Sequence, residues 1–325
     1  MGEQNHGRTA LSPREVIGVR AKAGETPLRR PESMLRFAPL GIPAAIIADD
    51  SALLSAATAN FAGLTSCPAA ADPRIVIRLH WNALATARVG FEVTVKGSCL
   101  TVEGEGILGR ADARAGAADC SLSRAYGADR RALAEIGETL LLFLLTRLGR
   151  TPIHASAVMI GETAVLLAGE SGSGKSSLAL AAQRQGLEVL SEDTVYVQLR
   201  PRLRVWGWPG AIHLLPDDAP DGEYPLRLRG GRPKAAVRRA PGRRSADGAA
   251  LVALAPGNRV AFQPMSAARL VARLSPVEPG FVLLRSEIEQ ALAKVAANGG
   301  WQLTLNKRPD EAVALLRERF GGARQ

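Results

Sequence analysis

The chain has 325 residues, of which 46% are hydrophobic, and it carries a formal net charge of +10. That length can hold one large domain or two medium ones with a buried core. Its apolar runs, such as residues 140–145, are too short to cross a bilayer, and the polar first residues lack a signal peptide's apolar stretch. Cys67, Cys99 and Cys120 have no metal-binding spacing. We therefore expect a cytoplasmic protein without membrane association.

The first 130 residues predict a lead-in followed by a β-rich domain. Residues 1–33 are polar and lack periodicity, which predicts a flexible lead-in. Residues 34–130 are assigned to a β-rich α+β domain, in which we find no catalytic constellation. Its predicted elements are strands at 45–48, 75–79, 91–95 and 99–102, the last two forming a hairpin, and a helix at 51–61.

Residues 131–325 predict a second domain in which helices and strands alternate. The predicted helices are 131–148, 177–185, 264–274, 285–297 and 310–320. The predicted strands are 163–168, 187–191, 194–199, 204–208 and 301–305, with 194–208 forming a meander. The fold class is therefore α/β, a mixed sheet with flanking helices, preceded by the smaller β-rich domain.

Residues 169–176 read Gly-Glu-Ser-Gly-Ser-Gly-Lys-Ser, a complete G-x-x-x-x-G-K-[ST] phosphate-binding loop. A predicted strand precedes the loop and a predicted helix follows it, so backbone N–H groups and the helix N-terminus would point at phosphates. Lys175 is expected to reach the β- and γ-phosphates, and the Ser176 hydroxyl to ligate Mg²⁺. ATP and Mg²⁺ are the predicted cofactors. The predicted nucleotide-binding residues are Gly169, Glu170, Ser171, Gly172, Ser173, Gly174, Lys175, Ser176 and Ser177.

Basic residues concentrate in one segment, residues 227–244, with no acidic residue among them. They are Arg227, Arg229, Arg232, Lys234, Arg238, Arg239, Arg243 and Arg244. The segment lacks the interleaved aromatic residues that stack on bases, which argues against nucleic acid. A loop that faces phosphate or substrate and a solvated loop both stay open.

Other classes of phosphate-loop protein can be tested on the sequence. No Asp in the chain has a Gly three places on, so the D-x-x-G motif of GTPases is missing, and no second glycine-rich signature of a transporter ATPase is present. Small-molecule kinases with long lids stay open.

Three sequence features follow one another along the chain: a histidine, the phosphate-binding loop and an acidic pair. His154 lies in residues 152–158, on the strand before the phosphate-loop strand, and Glu192-Asp193 follows the loop by one helix. In residues 150–215 this order resembles the bacterial HPr serine kinase/phosphorylase family, and more closely its stand-alone serine kinase relatives. The resemblance implies a P-loop nucleotide-binding core of HPr-kinase type.

The resemblance also implies an activity, namely ATP- and Mg²⁺-dependent phosphorylation of a serine hydroxyl on a protein or peptide. Catalysis would involve Glu192, Asp193, His154 and Lys175, with Ser176, Glu192 and Asp193 around the metal. Glu192 falls on the position of the family's catalytic base, where the family usually has Asp, so either Glu192 or Asp193 could accept the proton. The family's phosphorylase signature is not recognisable after residue 215, so reversal by phosphorolysis is not expected.

Two alternatives to a kinase remain. The Glu at position 192 fits a nucleotide-binding regulatory module that turns over weakly or not at all. ATP hydrolysis without a peptide acceptor is the other. The sequence names neither the acceptor nor the oligomeric state, and a homo-oligomer stays open.

Overall fold

A computed structural model describes residues 32–65, 71–83, 90–229, 231–274, 279–297, 299–306 and 308–321. Most of the predicted lead-in (residues 1–31) and Cys67 lie outside these ranges. Within them the chain is a mixed α/β protein with several sheets and flanking helices, as the sequence predicts. No helix in the described ranges combines the length and apolarity needed to cross a membrane.

The helices and strands are numbered in chain order. The helices are α1 (Ser51–Ala57), α2 (Arg130–Arg147), α3 (Lys175–Arg184), α4 (Ala267–Leu274), α5 (Arg285–Val295) and α6 (Pro309–Phe320). The strands are β1 (Ser33–Phe37), β2 (Ala44–Ala48), β3 (Ile75–Asn82), β4 (Glu92–Lys96), β5 (Cys99–Gly104), β6 (Ile107–Asp112), β7 (Ala117–Ser123), β8 (Thr151–Ile160), β9 (Thr163–Ala168), β10 (Glu188–Ser191), β11 (Thr194–Gln198), β12 (Arg204–Gly207), β13 (Ile212–Leu214), β14 (Leu226–Arg229), β15 (Arg232–Val237), β16 (Ser245–Ala246), β17 (Gly248–Pro256), β18 (Ala261–Met265) and β19 (Gly300–Leu305).

The first sheet has seven strands in the described residues, in the order β1-β2-β3-β7-β6-β5-β4. Antiparallel pairing of β4 with β5 confirms the predicted hairpin. Asp50 and Asp129 cap α1 and α2, where their side chains accept the backbone N–H groups of Leu53 (2.8 Å) and Ala132 (3.0 Å). Such caps satisfy donors that a helix N-terminus otherwise leaves without a partner.

Helix α2 packs its apolar face into the same core as the first sheet, through residues such as Leu133, Leu140 and Leu144. Gly137 lets α1 approach, because a Cβ at this position would lie 2.2 Å from the carbonyl oxygen of Ala57. The division of the chain into 1–33, 34–130 and 131–325 stays a prediction. Although α2 lies after the predicted boundary at residue 130, it packs into the core of the first sheet.

The second sheet has nine strands in the described residues, in the order β16-β12-β11-β8-β9-β17-β19-β18, with β10 beside β8. Strands β9, β17 and β19 are parallel and the other pairs are antiparallel. Helices α3 and α6 cover one face through residues such as Leu178 and Leu316, and α4 and α5 cover the other through Leu270 and Ile288. The helix predicted from residue 264 starts instead at Ala267, because Pro264 belongs to β18.

A third sheet has the order β13-β15-β14 and packs on α3 through Ile212, Leu214 and Val237. Residues 227–229 and 232–237 of the basic segment therefore form strands, so the prediction of a loop was wrong for them, whereas residues 238–244 lie outside any strand or helix. Apolar residues alternate with the charged ones along β14 and β15, and Ala235 and Val237 are buried. This sheet lies against the same helix that begins at the glycine-rich loop.

Candidate functional site

The glycine-rich loop, residues 169–174, joins β9 to α3. Gly172 (φ 81°) and Gly174 (φ 93°) have left-handed backbone conformations, which glycine adopts without steric cost. Gly174 is the N-cap of α3, and among the described residues no side chain caps this helix. Three consecutive elements therefore form as predicted, and the N–H groups of the first turn of α3 are left to an acceptor other than a capping side chain.

Lys175 is the first residue of α3 and is 7% exposed. Its Nζ donates to the backbone oxygens of Gly169 (2.7 Å) and Glu170 (2.9 Å). The ammonium group thus lies inside the loop. An anion bound by the loop would meet this charge directly.

Ser176 and Glu192 are in direct contact. Ser176 Oγ donates to Glu192 Oε1 at 2.7 Å, and Glu192 Oε2 lies 3.3 Å from His213 Nδ1. The side chains of Glu192 and His213 are only 6% and 13% exposed. A nearly buried carboxylate is held between a hydroxyl and an imidazole, at the first turn of α3.

The path of the chain between β10 and β11 places Glu192 there. Both strands pair with β8, but Leu190 is an extra residue in the β10 register, and pairing stops at Glu192 and Asp193. Asp193 has φ 69°, a left-handed conformation that is uncommon for a residue other than glycine. Ser191 Oγ, which donates to the carbonyl oxygen of Thr194 at 2.6 Å, holds this interruption together. Bulges of this kind re-aim side chains beside functional sites.

His154 and Asp193 form a second contact, with His154 Nδ1 3.4 Å from Asp193 Oδ1. His154 lies on β8, directly opposite Thr194 of β11. The side chain of Asp193 is 57% exposed, in contrast to that of Glu192. The predicted acidic pair therefore provides two different carboxylates, one enclosed and one facing solvent.

Arg239 follows β15 and approaches the same strand end, where its Nη1 donates to the carbonyl oxygen of Leu190 at 2.6 Å. Burial lowers the pKa of this guanidinium, and the negative charges of Glu192 and Glu188 partly oppose that effect. Arg239 thus adds positive charge behind the enclosed carboxylate. The sequence singled out Arg239 only as one of a basic group, and it did not single out His213 at all.

A cavity of about 590 Å³ opens beside the loop. Its wall includes residues 169–173 of the loop, His154, and the apolar side chains of Leu274 and Ile288. Arg273 also lines it, and donates to Gln302 Oε1 (2.6 Å) and to the carbonyl oxygen of Leu254 (3.0 Å). The volume lies in the range of small-molecule pockets, and His154 is part of the wall.

The structure thus brings the predicted residues together as two pairs, Ser176 with Glu192 and His154 with Asp193, at the end of the loop that holds Lys175. Asp193 makes no hydrogen bond with Ser176 among the described residues. The part of the chain that the structure describes has no cluster of three or more His, Cys, Asp and Glu side chains suited to a metal ion. A cation here would therefore rely on few protein ligands, as Mg²⁺ commonly does.

No protein-family model and no curated protein matches this chain. Among solved structures, the Hpr(Ser) kinase/phosphatase from Coxiella burnetii is similar at 12% sequence identity, with a TM-score of 0.28. That alignment covers 52% of this chain and 96% of the other. A TM-score this low does not establish a common fold, so the function proposed below depends on the geometry of the chain itself.

Proposed function

We propose that the protein is an ATP- and Mg²⁺-dependent kinase that phosphorylates a serine hydroxyl of a protein or peptide, with a P-loop core of HPr-kinase type. The observation that carries this proposal is the 2.7 Å hydrogen bond from Ser176 Oγ to Glu192 Oε1, directly after a complete G-x-x-x-x-G-K-S loop. In P-loop enzymes the loop Ser or Thr and an acidic residue from a nearby strand hold Mg²⁺ together.

The residues present fit both cofactors. A hydroxyl and a carboxylate are the hard oxygen donors that Mg²⁺ prefers. The loop supplies a helix N-terminus without a capping side chain and a buried lysine, which suit a triphosphate. Bound ATP would supply the phosphoryl group, and Mg²⁺ would neutralise charge that develops on it.

The two carboxylates suit different tasks. Glu192 is enclosed and bonded to Ser176 and His213, so we assign it to the metal. Asp193 is exposed and close to His154, so an acceptor hydroxyl arriving from solvent can reach it. We assign Asp193 as the group that accepts the hydroxyl proton and His154 as the residue that orients it. This assignment selects Asp193 from the two candidate bases that the sequence left open.

Transfer of label from γ-labelled ATP to a library of serine-containing peptides tests the proposal. Asp193→Asn should lower kcat by about 10²-fold or more, because general-base catalysis contributes that much, and should leave ATP affinity unchanged. Glu192→Gln should instead raise the Mg²⁺ concentration needed for half-maximal rate. Asp72→Asn is the matched control, because Asp72 is exposed and precedes β3, far from the loop in the sequence.

The results separate the alternatives. ATP binding without transfer to any peptide would favour a regulatory module, and release of phosphate that peptides do not affect would favour an ATPase. Unchanged transfer in both Asp193→Asn and Glu192→Gln would show that the catalytic assignment is wrong.

A further inference from the structure

The strand register of the third sheet gathers positive charge on one face. His213 pairs with Ala236, and Lys234 pairs with Arg227. Side chains of registered partners, and of residues two apart on a strand, share a face. The face that carries His213 therefore also carries Arg227, Arg232 and Lys234, and we call these three cations with His213 the basic face.

The opposite face of this sheet is part of the protein core. Ile212, Leu214 and Val237 are buried there against Ala179 and Leu180 of α3. The sheet is thus fixed on its apolar side. Arg227 and Arg232 are exposed, and Lys234 is partly exposed.

The three cations have no ion pair or side-chain hydrogen bond among the described residues. Other arginines of the chain do: Arg204 pairs with Asp247 at 2.6 Å and Arg243 with Glu162 at 2.9 Å. Exposed acidic residues are nearby in the sequence, in the segment that joins β13 to β14, yet none of them pairs with the basic face. They are Asp217, Asp218, Asp221 and Glu223.

The basic face begins beside Glu192, the carboxylate that we assign to the metal. His213 Nδ1 lies 3.3 Å from Glu192 Oε2, and strands β15 and β14 follow at a spacing of about 4.8 Å each. A polypeptide lying across the face would therefore reach the proposed site of phosphoryl transfer within a few residues.

We propose that the basic face binds an acidic segment of the polypeptide acceptor, an inference that rests on the proposed kinase function. Charge complementarity selects this occupant, because three unpaired cations on a fixed surface attract a negatively charged chain and orient it on arrival. A nucleic acid fits less well, since the described residues of the face include no Phe, Tyr or Trp for base stacking and the ring of His213 is largely enclosed beside Glu192. The acceptor serine would lie next to the acidic segment.

The test is fluorescence anisotropy with the full chain and a fluorescein-labelled peptide of alternating Glu and Ser, without nucleotide. A Gln and Ser peptide is the uncharged probe. The triple variant Arg227→Gln/Arg232→Gln/Lys234→Gln should weaken binding of the acidic peptide about tenfold, because three exposed ion pairs are lost. The control Arg78→Gln/Lys96→Gln/Arg114→Gln removes three exposed charges from the first sheet and its β6–β7 turn, and it should change affinity less than about twofold.

Three results would overturn the inference. One is equal weakening in both triple variants, which would show a response to net charge alone. Another is that the triple variant still binds the acidic peptide but no longer binds the ATP analogue AMP-PNP, which would assign the face to nucleotide binding. The third is a labelled single-stranded RNA that binds the wild-type chain more tightly than the acidic peptide does and is lost in the triple variant. None of these readouts requires phosphoryl transfer, so a failure of the proposed kinase activity is recognised separately.

Discussion

The helices that pack on the two large sheets differ in whether a side chain caps their N-termini. In the N-terminal region, Asp50 caps α1 and Asp129 caps α2, and each carboxylate accepts a backbone N–H group of the helix it precedes. In the second region α3 starts after Gly174, which has no side chain to offer. The electropositive N-terminus of a helix is thus closed by a carboxylate in the first region, whereas that of α3 has no capping side chain among the described residues.

The hydrogen-bond partners of the carboxylates also differ between the two regions. Asp50 accepts from Leu53 N and from Trp81 Nε1 (2.7 Å), and the first of these bonds holds the pKa of Asp50 below its ordinary value. Both of these hydrogen bonds stabilise the fold of the first region. Glu192 is held by Ser176 and His213 at the end of a glycine-rich loop, where a cation can share its oxygens. Four sets of variants test whether the two regions differ in this way.

The largest expected effect comes from Lys175→Ala. Removing the ammonium group from the loop should reduce transfer of label from γ-labelled ATP by about 10³-fold, because a preorganised charge aimed at the transferring group is lost. Lys294→Ala removes an exposed lysine from α5 and should have no effect. Normal label transfer in Lys175→Ala would refute the assignment of the loop.

Gly137→Ala should act only on stability. The new Cβ would meet the backbone of Ala57, which cannot move out of the way cheaply, so we expect a loss of about 2 kcal/mol in the free energy of unfolding. Urea unfolding measures this, with Gly210→Ala as the control, since a Cβ at Gly210 meets nothing within 4 Å. Binding of AMP-PNP to the folded variant should be unchanged, and a loss of that binding would contradict the separation between the two regions.

His213→Ala should raise the Mg²⁺ concentration for half-maximal label transfer about tenfold, because partners of a metal-binding carboxylate set its orientation. His213→Asn, which can still donate a hydrogen bond, should restore part of the loss. His80→Ala removes a histidine that contacts Asp49 and Asp119 in the first sheet, and it should not change the Mg²⁺ dependence. An equal shift in both histidine variants would show that the effect is not local.

Asp50→Asn should destabilise the fold by about 1 kcal/mol at pH 7, because the amide keeps one oxygen for the N–H of Leu53 but loses the negative charge and the acceptor for Trp81 Nε1. Because the pKa of Asp50 is lowered in the folded state, its contribution is complete above the unfolded pKa of about 3.9 and is lost as pH falls through the folded value. The difference between wild type and variant, measured by thermal unfolding, should therefore shrink below about pH 4. A difference that grew on acidification would contradict this account.

Local signals predict much of the second region. The apolar run before the loop, the helix-forming residues after it and the acidic pair one helix later all depend on short stretches of sequence, and each forms where expected. The same holds for α2, whose repeated leucines mark one buried face. His154 also lies on the strand that precedes β9, as predicted.

Non-local pairing explains what the sequence did not predict. His213 comes from a three-residue strand, too short to show a period, and it reaches Glu192 only because β13 pairs with β15. Strands β14 and β15 were not predicted, although their apolar residues alternate with charged ones. Their high density of arginine, glycine and proline is typical of loops. Glu192 and Asp193 differ in exposure because the pairing with β8 is irregular at this point. The sequence of this segment alone does not predict that irregularity.

The extra residue at Leu190 has a consequence for how this segment tolerates insertion and deletion. Deleting Leu190 would leave every candidate functional residue in the chain, and pairing with β8 could continue on both sides, because the residues before and after Leu190 already lie opposite adjacent residues of β8. The bend that the extra residue gives the strand would be lost. Glu192 and Asp193 follow this bend, so their side chains would lose the aim that now brings them to Ser176 and His154. In this stretch the number of residues constrains function as strictly as their identity does, so length variation should be excluded here even where substitutions are accepted.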